Sequence, residues 1–104
     1  MQKRVPAPVA RAKRDIADNL NLARRQQRIS SEVLAERCNV SKATLSKMLN
    51  QGEGSLENFL RVSRCLGLLD RVVEATDPLE TEMGRMYAMS DVPQRVRKTA
   101  RCRR

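Results

Sequence analysis

A short polar segment in the first half of the chain carries the side chains best suited to binding another molecule. Around one leucine it contains only hydroxyl, methyl or basic side chains, namely Ser41, Lys42, Ala43, Thr44, Ser46 and Lys47. Lysine can donate to guanine acceptors or to phosphates, hydroxyls can serve a base or the sugar-phosphate backbone, and alanine can touch a thymine methyl group. The segment therefore favours nucleic-acid contact over catalysis.

The overall composition disfavours enzyme chemistry. The 104 residues include no His, so the chain has no imidazole for general base catalysis or for a His-containing metal site. The three cysteines, Cys38, Cys65 and Cys102, lack the spacing of metal ligands. There is no Gly-rich phosphate loop, and the core is too small for a deep pocket. We expect no enzyme activity, no metal ion and no other cofactor.

Positive charge is concentrated at the two ends of the chain. The net charge is +9, and 11 of the 21 basic residues lie in 1–14 and 92–104, which contain no acid. Residues 15–91 carry a net charge of −2. This distribution predicts a near-neutral folded unit with two disordered basic arms. The arms either solubilise the chain or contact DNA through Arg11, Lys13, Arg14, Arg95, Arg97 and Lys98.

The apolar residues recur at helical spacing, and no stretch alternates as a strand would. The predicted helices cover about 14–27, 31–38, 42–50, 56–66, 69–75 and 78–87. Residues that cap helices precede several of them, namely Ser30, Ser41, Ser55 and Asp77. The fold class is therefore all-α.

The segment Asn39–Ser41 separates the second and third predicted helices. Asn tolerates the left-handed conformation of a tight turn, and the small Ala35 allows the two helices to cross closely. The third helix would then bury Leu45, Met48 and Leu49 and expose the polar segment. This pattern indicates a helix-turn-helix whose third helix fits the major groove. A generic helical bundle with a polar third helix is the alternative.

Four segments resemble the helix-turn-helix domain of the Cro/C1-type phage repressors, the XRE family. They are "LAER", "NVS", "TLSKMLNQG" and "SLENFLRVSRCLGLL", within about Ile16–Leu69. The resemblance implies a five-helix all-α domain that binds double-stranded operator DNA as a homodimer. Two symmetric third helices would then contact half-sites about 34 Å apart.

The resemblance also implies roles for individual residues. Base-contacting positions match Lys42, Ala43 and Lys47, whereas Ser41 and Thr44 match positions that contact bases or nearby backbone. Phosphate-contacting positions match Ser31, Asn50 and Gln51, and Ser46 can serve either base or backbone. The chain departs from the family pattern at Ser31, where Gln is frequent, and at Leu49, where a Glu often pairs with an Arg of the first helix. Arg24 is therefore expected to be exposed or to face a phosphate.

The second half of the chain resembles the C-terminal part of HipB-like antitoxins, through "LGLLDRVV", a following "PL" and the tail "QRVR". That resemblance implies autoregulation of an operon and binding to a HipA-type kinase toxin. Residues 53–91 carry a net charge of −4, which suits a protein partner better than DNA. An apolar stripe of Leu79, Met83, Met86 and Tyr87 either docks on a partner or covers the core of its own domain. The expected dimer contact consists of Leu68, Leu69, Val72 and Val73.

The sequence predicts that the chain is divided into four consecutive regions. We expect a basic arm over 1–13, the helix-turn-helix domain over 14–75, a helical extension for dimer or partner contact over 76–91, and a basic tail over 92–104. No stretch is apolar enough for a membrane span, and the cysteine usage suits a reducing cytoplasm. The protein would associate with the nucleoid when bound to DNA. A stand-alone repressor without a toxin, a protein-only adaptor and an enzyme are the alternatives.

Overall fold

The computed structural model describes residues 4–89 and 92–96, and this part of the chain is helical without a strand. The helices are α1 (Ala7–Gln26), α2 (Ser31–Cys38), α3 (Lys42–Gln51), α4 (Leu56–Cys65), α5 (Leu69–Ala75) and α6 (Glu82–Tyr87), with a 3₁₀ turn at Pro78–Glu80 before α6. The chain divides between Val72 and Val73 into an N-terminal unit and a C-terminal unit. None of the described helices is both long and apolar enough to cross a bilayer.

Helix α1 begins seven residues before its predicted start. The prediction of a disordered arm over 1–13 is therefore wrong for residues 7–13, which are helical. Pro6 and Pro8 favour this start, because proline has no N–H and its fixed φ angle suits the first helical turn. The Pro6 carbonyl accepts hydrogen bonds from the Val9 and Ala10 amides, each at 3.0 Å. Arg11, Lys13 and Arg14 consequently lie on a helix.

The prediction of a single helix over 78–87 is also wrong, because the helical conformation is interrupted at Thr81. This residue is extended, with φ −109° and ψ 153°, and it caps α6 by accepting a hydrogen bond from the Gly84 amide at 2.9 Å. Its hydroxyl donates to the Pro78 carbonyl at 2.7 Å. The competing hydroxyl bonds explain why the 3₁₀ turn does not continue into α6.

The hydrophobic core lies between α1, α2, α3 and α4. Its most deeply buried apolar side chains are Leu34, Leu45 and Val62, each at most 1% exposed. The helical spacing of the apolar residues also predicts that Ile16 of α1 and Leu56 of α4 face the core, but both predictions are wrong, since Ile16 is 43% exposed and Leu56 is 70% exposed. Helix α1 instead buries Ala17 and Leu20, which share a face at the i, i+3 spacing. Leu56 is the first residue of α4, and the apolar face that enters the core comes from later turns.

Helix α1 and the end of α3 approach each other closely. Gly52 ends α3 in the left-handed conformation, with φ 67°. A Cβ atom at this position would lie 2.5 Å from the Lys13 carbonyl oxygen, so the contact requires glycine. The ammonium group of Lys13 forms an ion pair with Glu53 directly after the turn. This junction fixes α3, which carries the polar segment, against α1.

Candidate nucleic-acid interface

The turn between α2 and α3 has the predicted geometry. Asn39 lies in the left-handed region with φ 60° and ψ 48°. The Val40 amide then donates to the Ala35 carbonyl at 3.1 Å, which closes the end of α2. Ala35 is 3% exposed, and Val40 packs against the core. The turn therefore positions the start of α3 directly after Val40, a half-buried residue that packs against the core.

Ser41 begins α3 as its N-cap. Its hydroxyl oxygen accepts a hydrogen bond from the Thr44 amide at 3.0 Å and donates to the Thr44 hydroxyl at 2.8 Å. Thr44 is half-buried and keeps its own O–H proton for a further acceptor. The Ser41 side chain is used within the protein, so Ser41 would contact a phosphate mainly through nearby backbone amides.

The outer face of α3 is exposed and free of acids. Lys42, Ala43, Ser46 and Lys47 are all exposed, whereas Leu45, Met48 and Leu49 are buried as predicted. Neither Lys42 nor Lys47 forms an ion pair with any described residue. Both ammonium groups are therefore available to an external acceptor, and the helix face between them is made of small side chains.

A cleft of about 250 Å³ lies beside this face and gathers several predicted site residues. Ser31 of α2 and Lys42, Ser46 and Asn50 of α3 all line it. The Asn50 amide donates to the Ser46 hydroxyl at 3.1 Å, so these two side chains form one polar unit on successive turns. Residues that the sequence placed on different helices thus share a single concave surface. Gln51, the last residue of α3, is exposed beyond it.

Three further residues line this cleft, namely Asn21, Arg24 and Glu32, and of these the sequence reasoning missed Asn21 and Glu32. Arg24 is half-buried rather than exposed, and because its side chain lines the same cleft as Ser31 and Asn50, the expectation that it faces a phosphate stays a prediction. Arg24 donates to the Asn21 side-chain oxygen from Nε at 3.1 Å and from Nη2 at 2.8 Å, and to the Ile29 carbonyl at 2.8 Å. Arg24 therefore fixes the end of α1. The i, i+3 spacing of Asn21 and Arg24 is the signal that a sequence reading could have used.

The residues predicted to form basic arms differ in their surroundings. Arg11 and Arg14 are exposed on α1, whereas Lys13 forms an ion pair with Glu53. Arg95 is exposed in a bend. The predictions for Arg97 and Lys98 lie outside the described residues. DNA contact by this group stays a prediction, now made from a helix at the N-terminal end.

The predicted dimer or partner residues fall into two classes. Leu68 packs against the core, and Leu69 and Val72 are half-buried, so these three offer limited area to a second molecule. Val73 is 59% exposed. In α6, the side chains of the apolar stripe are 63–68% exposed, namely Met83, Met86 and Tyr87. Leu79, the fourth residue of the stripe, is 51% exposed, so within the described part of the C-terminal unit the whole stripe is exposed.

Comparison with known proteins identifies no relative of this chain. It matches no protein-family model, no curated protein and no solved structure.

Proposed function

We propose that the protein is a sequence-specific DNA-binding transcriptional repressor. The observation that carries this proposal is the outer face of α3, which is exposed, acid-free and fixed by a capped turn. Lys42 and Lys47 would donate to base acceptors in the major groove, and Ala43 would contact a thymine methyl. Ser31 and Asn50, at the neighbouring cleft, would contact phosphates that set the register.

The repressor would act as a homodimer. One helix as short as α3 contacts few base pairs, whereas two copies on symmetric half-sites double the contacts. Val73, together with the exposed parts of Leu69 and Val72, supplies the apolar surface for that contact. Because Leu68 packs against the core, it would support the dimer contact from the protein interior.

The most specific form of the proposal is an antitoxin that binds a HipA-type kinase toxin and represses its own operon. The exposed stripe on α6 supports it, because Met83, Met86 and Tyr87 offer apolar area to a partner. The second candidate is a stand-alone repressor, in which the same stripe would serve the dimer. Co-expression with the product of the adjacent gene, followed by co-purification, distinguishes the two.

The test of DNA binding uses Lys42→Ala and Lys47→Ala. Duplexes are first selected from random-sequence DNA by the wild-type protein, and affinities are then measured by fluorescence anisotropy. Each variant is expected to lose about 1–3 kcal/mol of binding free energy to the selected duplex, since each removes a base contact. Arg61→Ala is the control, because Arg61 is an exposed basic residue of α4 paired with Glu57.

Circular dichroism checks that the variants retain the helical fold, because the replaced side chains are exposed. Unchanged affinity in both lysine variants would overturn the assignment of α3 as the DNA-contacting helix. Failure of the wild-type protein to select any duplex would overturn the repressor proposal as a whole.

A further inference from the structure

A second cleft, of about 490 Å³, lies on the other side of the α2 N-terminus. We call it the basic cleft, and its lining consists of Gln27, Arg28, Ile29, Ser30, Val33 and Arg37. It contains two arginines and no acid. Neither guanidinium group forms an ion pair with any described residue. Two exposed positive charges thus share one concave surface without an internal partner.

The backbone of Arg28 adopts an unfavourable conformation. Its φ is 58°, in the left-handed region that disfavours side chains with a Cβ atom. The backbone around it closes the end of α1, since the Arg28 amide donates to the Arg25 carbonyl at 3.0 Å and the Ile29 amide to the Arg24 carbonyl at 3.2 Å. Glycine would satisfy this turn without strain. A strained residue with an unpaired charge is a reason to look for a ligand of that charge.

The basic cleft is continuous with the candidate DNA surface. Ser30 lines the basic cleft and the next residue, Ser31, lines the cleft beside α3. The two clefts therefore meet across the first turn of α2. A duplex lying along α3 carries its phosphates in a continuous row, and planar guanidinium groups bind phosphate oxygens in pairs.

We propose that Arg28 and Arg37 bind backbone phosphates of duplex DNA outside the segment that α3 contacts. This inference rests on the proposed function and assigns the basic cleft a role that is independent of base sequence. The two arginines would add affinity and salt dependence, whereas α3 would supply the preference for one sequence.

The test compares the double variant Arg28→Gly/Arg37→Gln with the wild-type protein. Its charge-matched control is Arg61→Gln/Arg64→Gln, which removes two exposed arginines of α4. The probes are the selected duplex and a random-sequence duplex of equal length, titrated from about 50 to about 200 mM salt. Loss of each phosphate contact is expected to reduce the slope of log K against log salt by about 1 per protomer. The ratio of affinities for the two duplexes should stay unchanged.

Folding is controlled by the single variant Arg28→Gly. Because it relieves the positive φ, its melting temperature should be unchanged or up to about 4 °C higher, while its salt slope falls. A gain of stability together with a loss of affinity separates a binding role from a structural one. A lower melting temperature with an unchanged slope would show that Arg28 is structural.

The outcomes separate the inference from the proposed function. If Lys42→Ala abolishes the preference for the selected duplex and the double arginine variant keeps the wild-type slope, the basic cleft does not bind DNA and the inference fails alone. If the arginine variant loses slope and neither Lys42→Ala nor Lys47→Ala has an effect, the inference stands and α3 is wrongly assigned. If the Arg61/Arg64 control lost as much salt slope, the change would be explained by the lower net charge of the protein alone. The assignment of the basic cleft as a phosphate site would then be wrong.

Discussion

The N-terminal and C-terminal units use the same local devices and differ in what they bury. Helices α2, α3 and α4 begin at serine caps, and α6 begins at the threonine cap Thr81. The described residues of the N-terminal unit include ten buried apolar side chains in addition to these caps. In the C-terminal unit, none of the described residues is buried.

Polar bonds between close neighbours hold the described part of the C-terminal unit. Asp77 accepts a hydrogen bond from the Leu79 amide at 2.9 Å, and Arg85 donates to the Leu79 carbonyl at 2.8 Å. Such exposed bonds fix the path of the chain, but each contributes little net stability because water competes for the same groups. Capping therefore defines where a helix starts, whereas burial decides how much the formation of that helix stabilises the protein.

The largest predicted difference between the units is the response to truncated apolar side chains. Leu45→Ala should lower the free energy of unfolding by about 2–5 kcal/mol, because Leu45 is 1% exposed and its loss leaves a cavity. Met83→Ala should change it by less than about 0.5 kcal/mol, since Met83 is 63% exposed. Urea titration followed by circular dichroism measures both. Equal losses would mean that the α6 stripe is buried in solution.

Glycine substitutions test how rigid the N-terminal unit is at the α1–α3 junction. Gly52→Ala should cost about 2–4 kcal/mol, because it combines a positive φ with a Cβ atom 2.5 Å from the Lys13 carbonyl oxygen. Gly67→Ala is the matched control, since Gly67 has φ 80° but no atom within 4 Å of the added Cβ. That variant should cost about 1 kcal/mol. If thermal unfolding shows the same loss for both, the junction adjusts to the methyl group.

The pH dependence of stability should contain a contribution from the core of the N-terminal unit. Burial, and then a hydrogen bond with Cys65, raises the pKa of the Cys38 thiol from 9.0 to about 12. Between these values the unfolded chain has lost the thiol proton and the folded protein keeps it. Stability should therefore fall as pH rises above 9, by on the order of 1 kcal/mol at pH 10.

Cys38→Ala removes this dependence and should flatten the decline between pH 9 and 10.5, whatever its effect at neutral pH. Urea unfolding at several pH values gives the slope for both proteins. A variant that declines as steeply as the wild type would place the alkaline sensitivity elsewhere.

Much of the N-terminal unit could be predicted because its signals are local. Ser30, Ser41 and Ser55 each precede a helix and accept a hydrogen bond from the amide three residues later. The left-handed conformation of Asn39 was also predicted, because it depends on the type of this one residue. The start of α1 was missed because residues 1–14 were interpreted from their basic, acid-free composition as a disordered arm, although proline is favoured in the first turn of a helix.

The errors arise where a choice depends on residues distant in sequence. Periodicity gives α1 an apolar stripe, but only packing against other helices decides that Ala17 is buried and Ile16 exposed. The composition of the cleft beside α3 likewise depends on tertiary packing. Its α3 residues were predicted from one segment, whereas Asn21 and Arg24 join them from α1 through tertiary structure. The spacing of Asn21 and Arg24 could indicate the bond between these two side chains, whereas the bond from Arg24 to the Ile29 carbonyl could not be predicted, because its acceptor is a backbone group.

The smallest predicted effect compares two caps that make the same hydrogen bond in the two units. Ser41 accepts from the Thr44 amide at 3.0 Å and Thr81 from the Gly84 amide at 2.9 Å. Ser41→Ala should lower the free energy of unfolding by about 1 kcal/mol, since α3 contributes three buried side chains to the core. Thr81→Ala should leave global unfolding within about 0.3 kcal/mol, because α6 has no buried residue whose loss would be felt.

Thr81→Ala should instead act locally, by speeding amide hydrogen exchange in α6 while exchange in α3 stays unchanged. Ser41→Ala should speed exchange throughout α2, α3 and α4, whose buried residues form one cluster. If the threonine variant lowered global stability as much as the serine variant, the C-terminal unit would be cooperative with the N-terminal unit. Its exposed apolar stripe would then belong to an intramolecular contact, and α6 would not be available to a partner.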